Sequence, residues 1–226
     1  STGDGGDGTD TPEDTETTTQ MEALPSVGGR EVYASSSDAK SLIFFRHSDT
    51  TTASFISATM DSAYGWKDVR EPFHMWIESY SDVDKTEWTY KLRENLQWSD
   101  PYGQQTAEDW VYFIQNIHQS DWSGSVTGGQ WMYTDDDGNQ QPYDVEKLGT
   151  YEFKVTLNQP VSGFPTQAMW GARCVPKGLI KTYVDNQDAE GIKKDETINR
   201  LQYTGNLGPY NFEQWERESR FFATRN

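Results

Sequence analysis

One stretch constrains this chain more than any other: residues 87–118, EWTYKLRENLQWSDPYGQQTAEDWVYFIQNIH. Trp88, Tyr90 and Leu92 alternate with Thr89, Lys91 and Arg93, the period-two pattern of a strand with one buried and one wet face. Leu96 and Trp98 repeat that pattern briefly. Ser99 to Gly103 then concentrates Asp, Pro and Gly, whose turn preferences predict the end of extended chain. Thr106, followed three residues later by Asp109, forms a capping-box pattern, with Glu108 and Asp109 at the positive end of the helix dipole. Trp110, Ile114 and Ile117, with Val111 and His118 beside them, predict a helix over 106–118 that packs one face inward.

Elsewhere the same reasoning gives weaker elements. Tyr151, Phe153, Val155 and Leu157 alternate with Glu152, Lys154 and Thr156, a clear second strand. Short strands are expected at 29–33 and from Ser41 to Phe45, and an amphipathic helix from Ser54 to Tyr64. Asp135 to Asn139 is expected to turn a hairpin between Trp131-Met-Tyr and Tyr143. Leu179 to Arg200 reads as charged helical chain.

The acidic balance, a net charge of −17, argues against a nucleic-acid partner because phosphates would be repelled and no basic patch offsets the field. Six of those charges fall in the first twenty residues, so eleven remain on the rest, and that part is itself acidic. Residues 1–28 begin with Gly, Thr, Asp, Glu, Ser, Pro and Gln, too little apolar surface to offset ordering entropy. They read as a disordered acidic tether ahead of a folded part at 29–226. Gly3, Gly5 and Gly8 match a dinucleotide-loop pattern, but no strand precedes them and no helix follows. No run approaches the roughly 20 apolar residues of a membrane span.

Chemistry-bearing motifs are sparse. The single Cys174 rules out an internal disulfide and reads as a small buried hydrophobe. His47, His74 and His118 lie far apart without ligand spacing, so no metal site is expected. Asp135 to Asp137 misses the calcium-loop spacing. Ser37 and Lys40 match S-x-x-K, yet no K-T-G follows. Thirty-one aromatic residues, of which nine are Trp, leave open a secreted aromatic-rich hydrolase or a carbohydrate-binding domain.

Lys91-Leu-Arg93, Trp98, the turn, and Thr106-Ala-Glu-Asp109 before an aromatic resemble the signature of the family 5 solute-binding proteins of ABC transporters, the dipeptide, oligopeptide and nickel receptors. Glu78-Ser-Tyr80 resembles the family's strand before that signature. Gly208-Pro-Tyr210 with Trp215 and Glu216 resembles a later G-T-G-P-Y step, with Asn206 and Leu207 departing from it, and Arg225-Asn226 falls on the family's R-N step. Gly128 to Trp131 and Gly149 to Phe153 resemble haloarchaeal members.

The resemblance implies a mixed α/β, periplasmic-binding-protein-like fold: the first lobe of a two-lobed receptor with a small α+β subdomain and the second lobe missing. It implies a receptor rather than an enzyme, with no cofactor. Its partners would be a peptide or other small solute and the permease subunits of an ABC transporter. It implies a place on the extracellular face of the cell membrane, with a lipid anchor before Ser1 as the membrane attachment. Arg46, His47, Ser48 and Asp49, where the family brings its chain to the cleft, and Trp170 are the candidate ligand-binding residues.

Overall fold

A computed structural model describes residues 37–47, 49–68 and 71–226. The strands expected at 29–33 and the tether at 1–28 lie outside the described residues. The order of elements begins with helix α1 (Thr50–Thr59) and the hairpin β1 (Tyr64–Asp68) and β2 (Glu71–His74). Strands β3 (Ile77–Val83) and β4 (Glu87–Leu92) lead to α2 (Ala107–Phe113), which runs on as a π-helical turn from Ile114 to His118. Strands β5 (Met132–Thr134), β6 (Gln140–Pro142), β7 (Asp144–Lys147) and β8 (Glu152–Thr156) follow. Helices α3 (Phe164–Ala168), α4 (Lys177–Asn186), α5 (Ala189–Lys194) and α6 (Glu196–Asn199) precede the hairpin β9 (Tyr210–Glu216) and β10 (Arg220–Arg225).

The fold is mixed α and β, as the resemblance implied. Its centre is a four-stranded antiparallel sheet in the order β3-β4-β8-β7, with Trp88 opposite Val155 and Tyr90 opposite Phe153. The alternation read in β4 and β8 is what this sheet requires. Trp88, Tyr90, Leu92, Phe153 and Val155 face the core, while the other face carries ion pairs such as Lys154–Glu146 at 2.8 Å and Lys91–Glu78 at 2.9 Å. An antiparallel sheet tolerates one wet face of this kind. Exposed pairs like these contribute little individually.

Helix α2 lies on the dry face. Its start is fixed by Asp109, whose Oδ2 accepts the Thr106 backbone N–H at 3.0 Å, as the capping-box pattern predicted. Trp110 stacks on Phe153 at 5.8 Å and meets Trp76 edge-on at 6.1 Å. Trp76 meets Trp98 at 6.4 Å, and Trp98 meets Tyr203 at 6.0 Å, so one run of rings joins the sheet to the C-terminal half. Such contacts add to the burial that drives packing.

Several expectations are corrected. Ser41–Phe45 is not a strand: Phe44–Arg46 forms a 3-10 turn, because Leu42, Ile43 and Phe45 are all buried by the core and leave no wet face for alternation. The first helix begins at Thr50 rather than Ser54, since Asp49 caps it by accepting the Thr52 N–H at 2.8 Å, and Tyr64 belongs to β1. Leu96 and Trp98 are buried without lying in a strand; a single bridge between Gln97 and Gln104 closes their turn. The charged segment from 179 is helical but broken into α4, α5 and α6, where Gln187 adopts φ 50° and Asp188 and Asp195 start new caps.

The loop of the motif departure is well defined. Asn206 uses its side chain to accept the Gln97 N–H at 2.7 Å and to donate to the Asn95 carbonyl at 2.9 Å. Leu207 is buried, and its carbonyl accepts the Trp76 indole N–H at 3.1 Å. Gly208 passes so close to α1 that a Cβ would stand 2.2 Å from the Thr59 carbonyl oxygen.

Candidate functional site

The chain leaves the buried Phe45 through Arg46, and the candidate residues diverge from there. The Arg46 guanidinium donates to the Ser123 carbonyl and lies against Gly124, while the Phe45 carbonyl accepts the Val126 N–H at 2.9 Å. Arg46 is therefore committed to the 123–126 loop. His47 is nearly enclosed, with 11% of its side chain exposed, and its Nδ1 stands 4.0 Å from Asp49 Oδ2. Neither of those two atoms has a hydrogen-bond partner among the described residues. Ser48 lies outside the described residues.

Burial pushes the His47 imidazole below its ordinary pKa, and the positive charge of Arg173 adds to that, against the pull of Asp49. Burial opposes the charge on Asp49 as well, but hydrogen bonds from Thr52 together with His47 and Lys40 leave its carboxyl below the usual value. The pair thus presents a neutral ring beside a carboxylate near neutral pH.

Trp170 is held by a parallel bridge to Tyr64 and remains 54% exposed. Gly171 follows with φ 67°, a left-handed turn that suits glycine, and the Ala172 carbonyl accepts the Ala63 N–H at 2.8 Å. The turn delivers Arg173. Its Nε donates to the carbonyls of Met60 at 3.1 Å and Asp61 at 2.8 Å, Nη1 to the Gly171 carbonyl at 3.3 Å, and Nη2 to Ser57 Oγ at 3.1 Å. No described carboxylate forms an ion pair with it. Burial lowers its pKa to about 10.

The structure thus brings His47 and Asp49 together, sets Arg173 within electrostatic reach of His47, and links Trp170 to that arginine through one turn. It sends Arg46 elsewhere. No described hydrogen bond or ion pair joins Trp170 directly to Arg46, His47 or Asp49. The sequence reading missed Arg173, although a lone arginine in the apolar run Met169-Trp-Gly-Ala-Arg-Cys-Val175 was a signal. A half-buried cation in such a run needs several acceptors, and here four are supplied.

Chemically the cluster offers acceptors, a cation and an exposed indole, which suits holding a polar solute. Cys174, next to Arg173, is fully buried, and burial raises its thiol well above the ordinary value, so it is no thiolate nucleophile. No group of three or more His, Cys, Asp or Glu among the described residues could hold a metal ion.

Residues 71–226 match the family described as bacterial extracellular solute-binding proteins, family 5, middle part. No curated protein matches the chain. Among solved structures, the oligopeptide-binding protein AppA from Bacillus subtilis in complex with a nonapeptide is 17% identical with a TM-score of 0.68, covering 85% of this chain and 35% of its own. DppA from Helicobacter pylori, in complex with the peptide STSA, is 16% identical with a TM-score of 0.61, covering 84% and 38%. NikZ from Campylobacter jejuni, in complex with Ni(L-His), is 18% identical with a TM-score of 0.57, covering 76% and 30%. The chain therefore spans about a third of the length of the structures it resembles.

Proposed function

Because the chain belongs to the bacterial extracellular solute-binding proteins of family 5, we propose that it supplies one wall of a receptor. That receptor captures a peptide-type solute outside the membrane and delivers it to the permease subunits of an ABC transporter. The reading places the protein at the extracellular face of the cell membrane, tethered by a lipid anchor, and gives it no catalytic role. Its first lobe is residues 29–226. The solute class rests on the fold likeness to proteins solved with a nonapeptide and with the peptide STSA.

The observation that carries the position of the site is the cluster of His47, Asp49 and Arg173 beside the exposed Trp170. An extended peptide presents alternating N–H and C=O groups, and a buried pair of unpartnered polar atoms next to a cation matches that alternation. The indole adds a flat apolar surface for a side chain. Arg46 acts from behind, shaping the loop from which His47 departs.

Isothermal titration of a peptide mixture into a receptor of the relatives' length carrying these residues tests the reading. Trp170→Ala and His47→Ala are each expected to weaken binding about tenfold, with the peptide recovered unaltered. Wild-type affinity in both variants would overturn the position of the site. Cleaved peptide or released sugar would favour a hydrolase instead.

A further inference from the structure

A second concave site includes Asp61 in its lining. It is a groove of about 260 Å³ whose lining includes Phe73 to Trp76, Arg93 and Leu96. Asp61 and the Asn206-Leu207 turn complete it. Among the described residues, its one hydrogen-bonded link to the Arg173 cluster is the bond from Arg173 to the Asp61 carbonyl.

The groove holds two charges of opposite sign with unused hydrogen-bonding capacity. No described N–H or O–H donates to the Asp61 carboxylate, and no described cation forms an ion pair with it. A partly buried carboxylate without donors has much to gain from a cationic ligand, and burial raises its pKa against the longer-range pull of Arg173. Arg93, also in the lining, is clamped by its Nε to the Met75 carbonyl at 2.6 Å and by Nη2 to the His74 carbonyl at 3.2 Å, so its orientation is set while Nη1 bonds nothing described. A guanidinium fixed in this way presents a free edge to a carboxylate. Phe73, 54% exposed, adds a large apolar ring to the groove wall. Asn206 is fully engaged with Asn95 and Gln97 and contributes shape rather than recognition.

From this arrangement we infer that the groove binds a small zwitterion of the free amino-acid type, its ammonium against Asp61, its carboxylate against Arg93 Nη1 and its side chain against Phe73. None of His47, Asp49, Trp170 and Arg173 lines this groove, and the inference does not rest on the peptide reading. A volume of about 260 Å³ is of the size that one amino acid fills.

Saturation-transfer NMR on the intact chain with L-leucine, N-acetyl-L-leucine and L-leucine amide tests this without altering the protein. Leucine should bind saturably, and removing either charge should weaken binding by at least about tenfold. Asp61→Asn and Arg93→Gln, checked for native circular dichroism, should reproduce the two losses, whereas Trp170→Ala should leave leucine binding unchanged. Absence of saturable leucine binding, or equal binding of either blocked analogue, overturns the proposal. A peptide titration that fails while leucine binding persists would count against the receptor wall alone.

Discussion

The Asp109 carboxylate accepts the backbone N–H of Lys177 at 2.8 Å, so a residue in the first turn of α2 also caps α4, 68 positions away. Its other oxygen accepts the Trp98 indole at 3.2 Å and the Thr106 N–H at 3.0 Å. One side chain therefore ties two helix starts and the ring run together. Asp109→Ala would leave three donors unpaired, one of them buried and two partly buried, and the expected loss is about 3 kcal/mol. Thr106→Ala should cost about 1 kcal/mol or less, because the Thr106 hydroxyl reaches Asp109 only at 3.4 Å. Urea unfolding of both variants checks the order, and equal losses would show that the bond to α4 is dispensable.

His118 gives the fold an acid limb. Its ring stacks on Trp131 at 6.0 Å, meets Phe113 edge-on at 4.8 Å, and its Nδ1 pairs with Ser125 Oγ at 2.8 Å. Burial drives its pKa from the ordinary 6.5 down to about 3. Below pH 6.5 the unfolded chain takes up a proton that the folded chain refuses, so stability present above pH 6.5 is lost as pH falls toward 3. The loss approaches about 5 kcal/mol at the acid end. In His118→Gln the fall in unfolding free energy between about pH 7 and 4 should be clearly shallower; parallel curves would refute the assignment.

Gly208 is required by proximity rather than by dihedral angle. With the Thr59 carbonyl oxygen 2.2 Å from the place an added methyl would take, Gly208→Ala must push α1 away from the loop. A cost of about 1–3 kcal/mol is expected. Gly129→Ala, where nothing lies within 4 Å of the added methyl, serves as the comparison and should be near neutral.

Trp170 and Arg46 should separate binding from stability. The exposed Trp170 can be replaced by alanine with little change in melting temperature while solute affinity falls. Arg46→Ala should instead lower stability by about 1–2 kcal/mol by releasing the Ser123 carbonyl. Reversed behaviour of the two variants would place the cleft elsewhere.

The acidic surface leads to a salt prediction. With eleven net negative charges outside the first twenty residues, self-repulsion should weaken as the Debye length shrinks to roughly 3 Å in molar salt. We expect the melting temperature to rise steeply between low and molar potassium chloride, as a halophilic origin would require. An unchanged value would remove the support for that origin.

Sequence pattern disclosed the parts of this fold where one local rule acts. The alternation of Trp88 to Leu92 and the spacing of Trp110, Ile114 and Ile117 follow from one face meeting the core, and both elements are where that pattern put them. The Asp135–Asn139 turn joins β5 to β6, as its Asp, Gly and Asn residues favour turn dihedrals. Ser41–Phe45 misled because continuous burial erases periodicity, so an apolar run around a 3-10 turn looks like a strand. The Arg173 cluster was harder to read. Its partners at Ser57, Met60, Asp61 and Gly171 are separated along the chain, and three of its four bonds go to backbone carbonyls, which carry no sequence signature.

The exposure of Trp170 also makes the candidate site optically addressable. Trp76, Trp88, Trp98, Trp110 and Trp131 are sealed in the core, whereas Trp170 stands in solvent. A collisional quencher such as iodide or acrylamide will therefore meet its excited indole far more often than those five. Its emission should lie toward longer wavelengths than theirs, and Trp170→Phe should subtract a quenchable, red-shifted component from the spectrum. A solute that covers the ring would shield that component, reporting occupancy without any attached dye.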